Sequence, residues 1–249
     1  MVVMKLILLG TTGYHPNDRR HTACMMLPEL GVVLDAGTAM YRVRDHLATD
    51  ELDIFLTHAH LDHVVGLTYL FDIIHEKNVR RVSVHATADK LSAIEKHLFA
   101  KTIFPATPPC EFRPLAATVD LPSGCTLTHF PLAHPGGAVG YRIDCPGSSL
   151  AYVTDTTASA SEPYVEQIQG ADVLIHECYF PDSMQDLAKK TGHSWTTAVA
   201  EVARAANVGR LVLVHINPLF ESDDVLEVDR ARSIFPRTEI GHDGMQLEV

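Results

Sequence analysis

Residues 57–63 read Thr-His-Ala-His-Leu-Asp-His, which places three imidazoles and a carboxylate within six positions. Crowded together, such groups are expensive to bury unless they share a cation, so the segment is read as a metal site. His58 and His60 are two apart and follow the apolar run Leu52-Asp53-Ile54-Phe55-Leu56, so as that strand frays they project to one side, where a single ion can take both. Asp62 and His63 open a helix whose apolar positions Leu67, Leu70, Phe71 and Ile74 keep the 3.6-residue period. The turn into that helix swings them toward a second ion, about 3.5–4 Å from the first, as two-metal hydrolytic sites require.

The elements that must position these groups alternate along the chain, with no repeat of 20–50 residues and no low-complexity tract. Strands are predicted at Val3–Leu9, Val32–Leu34, Leu52–Leu56, Arg81–His85, Thr126–Phe130, Val139–Asp144, Leu150–Thr154, Val173–His176 and Leu211–Val214. Helices are predicted at Val64–Glu76, Ala88–Ala100, Glu162–Gln169, Met184–Lys190, Trp195–Ala206 and Asp223–Phe235. Thr87, Ser194 and Ser222 stand where N-caps belong, and Gly209 where a helix should stop. Thr102–Pro114 carries four prolines and reads as a loop. Gly10-Thr11-Thr12-Gly13 lacks the spacing of a nucleotide-binding glycine turn, and no phosphate-binding lysine follows it, so it is read as structural.

At 249 residues and 46% hydrophobic, the chain can bury a substantial core, and one domain over residues 1–249 is expected. No apolar run is long enough to cross a membrane. Met1–Leu9 lacks the basic start and the cleavage site of a signal peptide and is read as the first core strand. The five cysteines, Cys24, Cys110, Cys125, Cys145 and Cys178, are scattered, odd in number and free of C-x-x-C spacing. Reduced thiols and a cytoplasmic location are therefore expected. The net charge of −11 repels polyanions, and two Zn²⁺ would add four charges and leave −7. Arg19-Arg20 and Arg80-Arg81 are the basic pairs that a local nucleic-acid patch would draw on, though such pairs are more often solvated surface.

The pattern His-x-His-x-Asp-His after an apolar strand resembles the signature of the metallo-β-lactamase superfamily. Distant segments extend the resemblance over nearly the whole chain. Leu132–Arg142, containing His134, is similar to the third-ligand segment of ribonuclease Z-like members; Tyr152–Thr156 ends a strand on Asp155, as the bridging carboxylate does; His215 follows a strand, as the last ligand does. Ala171–Glu177, Gly192-His193-Ser194 and the helix before His215 resemble the ribonuclease Z and small phosphodiesterase branch rather than lactamases or glyoxalases. The resemblance implies an α+β fold, a four-layer αβ/βα sandwich with the metal site at one edge of two packed sheets. One departure stands out: only 21 positions separate His134 from Asp155, where many bacterial ribonuclease Z proteins carry a tRNA-gripping arm.

Carried over, His58, His60 and His134 hold one ion, Asp62, His63 and His215 hold the other, and Asp155 bridges. The nitrogen and oxygen donors suit Zn²⁺ first, with Mn²⁺ or Fe also admitted. Two ions sharing a water lower its pKa from 15.7 toward about 7 and so supply hydroxide. His193 matches the histidine of the family's His-Ser/Thr motif and is the candidate general acid or phosphate contact, with Glu177 to orient it. Asp62 is counted with these two as a catalytic carboxylate besides being a ligand. Asp35, in Leu34-Asp35-Ala36-Gly37, is expected to accept a hydrogen bond from a liganding imidazole.

Three functions compete. The first is a phosphodiesterase acting on a small nucleotide-like phosphodiester, favoured by the His193 segment, the missing arm and the acidic composition. A ribonuclease Z-type tRNA 3′-end endonuclease follows from the overall resemblance, and a homodimer is common among such enzymes. A catalytically idle scaffold or metabolite carrier is the third, against which the intact ligand set argues.

Overall fold

The computed structural model describes residues 4–220, 222 and 224–249. Its strands are β1 Lys5–Gly10, β2 Cys24–Leu27, β3 Val32–Leu34, β4 Glu51–Phe55, β5 Arg81–Ala86, β6 Glu111–Pro114, β7 Thr118–Leu121, β8 Cys125–Leu132, β9 Ala138–Cys145, β10 Ser148–Val153, β11 Val173–Glu177, β12 Arg210–Val214, β13 Thr238–Ile240 and β14 Met245–Glu248. They form two seven-stranded sheets, β14-β1-β2-β3-β4-β5-β6 and β13-β12-β11-β10-β9-β8-β7. The helices are α1 Val43–His46, α2 Leu61–Val64, α3 Leu70–Lys77, α4 Ala88–Ala93, α5 Tyr164–Gln167, α6 Gln185–Thr191, α7 Thr196–Ala205 and α8 Val228–Ile234.

Three apolar layers hold the sheets and helices together. The central layer interleaves Leu6, Leu8, Met25, Leu34 and Phe55 of the first sheet with Leu127, Tyr141, Ile143, Tyr152, Ile175 and Val212 of the second. Residues of opposite parity, Ile7, Met26, Val33, Ile54 and Val84, face outward under Leu70 and Ile73 of helix α3 (Leu70–Lys77). On the second sheet Ala151, Val153, Leu174, Leu211 and Leu213 pack beneath Val199, Val202 and Ala203 of helix α7 (Thr196–Ala205). Strands buried on both faces read as continuous apolar runs instead of alternating ones, which is why β1 and β12 stand out in the sequence. The result is the expected αβ/βα sandwich. Among the described residues, no helix is long and apolar enough to cross a membrane.

Several boundaries differ from the sequence reading. The helix predicted over Val64–Glu76 is broken into α2 (Leu61–Val64), a tight 3-10 turn (Val65–Tyr69) and α3. Gly66 explains the break: its amide donates to the Ala36 carbonyl at 2.7 Å, outside any helix, and a β-carbon there would overlap the Gly37 carbonyl. The last four residues of the predicted loop Thr102–Pro114 pair in parallel with β5 as the edge strand β6, where a proline costs no ladder bond. The helix predicted from Asp223 begins outside the described residues and is regular only over Val228–Ile234, where the Asp224 carboxylate caps the Val228 amide.

The expectation of five reduced cysteines fails at one pair, because Cys125 and Cys145 are disulfide-bonded, while Cys24, Cys110 and Cys178 are free. The antiparallel register that pairs Thr126 with Asp144 brings these two residues face to face across β8 and β9. Spacing along the chain cannot disclose that register.

Candidate metal centre

Every proposed ligand leaves a strand at the same edge of the sandwich. His58, His60, Asp62 and His63 follow β4, while His134 follows β8, Asp155 follows β10 and His215 follows β12. Strands β10, β11 and β12 are parallel, and β8 runs with them because both it and β10 pair antiparallel with β9. Bonds between the sheets fix the edge: the Val139 amide donates to the Thr57 carbonyl at 3.0 Å, and the Tyr141 hydroxyl to the Leu56 carbonyl at 2.6 Å.

The side chains converge as two groups that meet at Asp155. His58, His60, His134 and Asp155 gather on one side, and Asp62, His63 and His215 on the other. One Asp155 oxygen, Oδ2, lies 3.7 Å from both His58 Nε2 and His134 Nε2; the other, Oδ1, lies 3.5 Å from His63 Nε2 and 3.2 Å from His215 Nε2. Asp62 Oδ2 is 3.4 Å from both His63 Nε2 and His215 Nε2. Atoms held ~2.0–2.1 Å from a tetrahedral ion stand roughly 3.3–3.4 Å apart, so these spacings suit a shared cation.

The hydrogen bonds behind the rings support the same reading. The Nδ1 of His63 donates to Asp35 Oδ2 at 2.9 Å and that of His134 to the Gly192 carbonyl at 2.9 Å, leaving both Nε2 atoms aimed inward. Thr57 Oγ1 donates to Asp35 and lies 3.0 Å from His58 Nδ1, while His58 Nε2 is buried with no hydrogen-bond partner among the described residues. Such backing fixes tautomer and ring orientation in metal sites. Burial alone would raise the Asp155 carboxyl, yet the imidazoles of His215, His63 and His58 hold it well below the usual carboxylate range. Burial also works to lower His63, but Asp62, Asp35 and Asp155 push it well above its ordinary value. The pocket favours positive charge between those groups, as a cation site must.

His193 borders the cluster, within ligand reach of Asp155 and His215, in the turn between α6 (Gln185–Thr191) and α7. Its ring stacks on Tyr179 with centroids 4.6 Å apart, and its Nδ1 is 3.3 Å from Glu177 Oε1. Burial opposes protonation, but Glu177, Asp155 and Asp62 outweigh it and push His193 up to about 9. Glu177 also accepts from the amides of Ser194 and Thr156 at 2.9 and 3.1 Å, so it holds two loops as well as the ring. All the candidate residues thus lie in one cluster or directly behind it.

Other contributors have no sequence signature of their own. The Tyr152 hydroxyl donates to Asp35 at 2.9 Å, and the Tyr14 amide to Asp62 Oδ2 at 2.7 Å. Gly13 is required by packing, since a β-carbon there would overlap three atoms of the His215 ring. Gly13→Ala is therefore expected to displace His215 and to weaken metal binding by about 10–100-fold, the range seen when support for a ligand is lost. Metal titration with a competing chelator would measure this; an affinity within twofold of the parent's would show that the ring has room to move.

The description "Beta-lactamase superfamily domain" matches residues 32–216, and the chain belongs to that family. Among relatives, it is 25% identical over its whole length to ribonuclease Z of Haloarcula marismortui, covering 97% of that protein. It is 39% identical over 108 residues to ribonuclease Z of Synechococcus sp., a match spanning 42% of this chain and a third of the relative's length. The fold is shared with the metallo-beta-lactamase fold protein YhfI of Bacillus subtilis (TM-score 0.81, 20% identity, 99% of this chain and 100% of the other). A diphosphatase of the PhnP family shares it too (TM-score 0.72, 22% identity, 98% and 97%).

Proposed function

We propose that the protein is a metal-dependent hydrolase with a dinuclear centre, acting on a small nucleotide-like phosphodiester. The observation that carries the substrate class is the segment between His134 and Asp155. It is spent on a short turn at Pro135-Gly136-Gly137, β9, a turn at Pro146-Gly147 and β10, so it offers no arm with which to grip tRNA. The alignment with the Haloarcula ribonuclease Z runs over 308 positions against the 249 residues of this chain, so at least 59 have no counterpart here. The endonuclease reading is favoured by the names of the relatives and stays the alternative.

In this reading His58, His60 and His134 hold one ion, Asp62, His63 and His215 the other, and Asp155 both. Zn²⁺ fits these donors best. Bound there, two divalent ions supply a nucleophilic water at neutral pH and neutralise charge on the phosphoryl oxygens. Asp35, Thr57 and the Gly192 carbonyl hold the imidazoles with their lone pairs inward. His193, kept protonated beside Glu177, is placed to give its proton to the leaving oxygen or to contact the phosphoryl group. For location in the cell, the three free cysteines support a cytoplasmic chain, and the Cys125–Cys145 bond argues the other way, since disulfides persist mainly in oxidising compartments.

The reading is tested by hydrolysis of bis(p-nitrophenyl) phosphate, 2′,3′- and 3′,5′-cyclic nucleotides and precursor tRNA with a 3′ trailer. His193→Gln is expected to lose about 10²-fold in kcat on cyclic nucleotides, whose leaving oxygen needs a proton, and only a few-fold on the nitrophenyl ester. Equal losses on both would reassign His193 to phosphate binding or to support of the metal ligands.

A further inference from the structure

Beside the metal centre lies a cavity of about 220 Å³ lined by Thr57, Thr87, Asp89, Lys90, Gly136, Gly137 and neighbouring β9 residues. Two of its wall residues adjoin ligands in sequence: Thr57 precedes His58, and Gly136 follows His134 and Pro135. Both glycines hold left-handed backbone, with φ of 83° and 79°. A β-carbon on Gly136 would point to within 3.9 Å of His60 Nε2, and one on Gly137 to within 3.9 Å of Lys90 Nζ. Their missing side chains keep the space from the imidazole to the ammonium open.

Lys90 is built into this wall. Its side chain is 18% exposed, and Nζ donates to the Gly136 carbonyl and, at 2.9 Å, to Asp89 Oδ2. An ammonium has three donors, and the third is unused by any of the described residues. Asp89, 69% exposed and tied down by the Thr87 hydroxyl at 2.6 Å, orients the ammonium; so exposed an ion pair holds it only weakly against a competing anion.

We propose that this cavity is a subsite for a second anionic group of the substrate, a phosphomonoester carried on the same nucleoside as the scissile diester, with Lys90 as its recognition residue. The subsite rests on the small-phosphodiester reading and narrows it to substrates with an additional phosphate. One charge-assisted hydrogen bond supplies about tenfold in affinity.

The test is calorimetric binding of adenosine 3′-phosphate and adenosine 3′,5′-bisphosphate to the Zn²⁺-loaded protein, which needs no turnover. The bisphosphate is expected to bind about tenfold more tightly to the parent; that preference should vanish in Lys90→Met and survive in Lys90→Arg. Equal affinities in the parent, an undiminished preference in Lys90→Met, or no binding of either nucleotide would overturn the subsite. Hydrolysis of bis(p-nitrophenyl) phosphate by the parent, measured separately, reports on the functional reading. A preference for the bisphosphate without any hydrolysis would refute that reading and leave the subsite standing.

Discussion

Asp155→Ala is expected to lose at least one ion per chain and about 10³-fold or more in kcat/KM on bis(p-nitrophenyl) phosphate. The carboxylate sends one oxygen toward His58 and His134 and the other toward His63 and His215, so no other residue can take its place between the two groups. Its removal leaves four imidazoles facing one another without the charge that holds them in place. Bound ions contribute several kcal/mol to stabilising the transition state, and about 4 kcal/mol corresponds to the stated loss. Metal analysis should return close to two ions for the parent and fewer for the variant. A variant that keeps two ions and activity within tenfold would remove Asp155 from the centre. This loss should exceed that of His193→Gln on the same ester, whose leaving group departs without a proton.

The second large effect concerns substrate size. Precursor tRNA is expected to be cleaved with a kcat/KM at least about 10³-fold below that of the best small phosphodiester, because an RNA enzyme depends on phosphate contacts, and roughly six to ten of them make affinity change by about 10³–10⁵-fold between about 50 and 200 mM salt. The basic pair Arg80-Arg81 is committed to Asp50, Glu51 and Asp53 at the start of β4, the opposite end of the strand from the ligands. Arg20 is turned inward, donating to Thr11 Oγ1 and the Gly241 carbonyl. The turn at Pro146-Gly147 lies about 27 Å from the edge that carries the proposed ligands, along the eight residues of β9, and the other turn between His134 and Asp155 holds only Pro135, Gly136 and Gly137 before β9 begins. Competition kinetics decide the matter: a higher kcat/KM for precursor tRNA than for every small ester would restore the endonuclease.

The residues that gather at the sheet edge were legible in the sequence because histidines and aspartates proposed as ligands stand out by type. Each of His58, His60, Asp62, His63, His134, Asp155 and His215 follows an apolar run, and such runs mark the strands that carry them. Asp35 could be read from its motif. What the sequence hid was whatever depends on partners across the fold. Gly13 looks like any turn glycine until the His215 ring is seen against it, and Tyr152 is a core aromatic whose hydroxyl happens to reach Asp35. Short strands were missed for a related reason: β2 reads Cys-Met-Met-Leu, buried on both faces, with neither alternation nor β-branched residues to mark it. The broken helix after His63 turned on the contact between Gly66 and Ala36, which no periodicity reports.

The bond between Cys125 and Cys145 joins the strand ends farthest from the metal edge and spans 20 positions of sequence. Closing a loop of that size restricts the unfolded chain by about 3 kcal/mol. Reduction of that bond is therefore expected to lower the temperature at which the fold melts, while the His and Asp cluster at the other end of the sandwich is held by hydrogen bonds of its own. The covalent staple and the proposed chemistry thus sit at opposite ends of one molecule, so a change at one end is expected to leave the other in place.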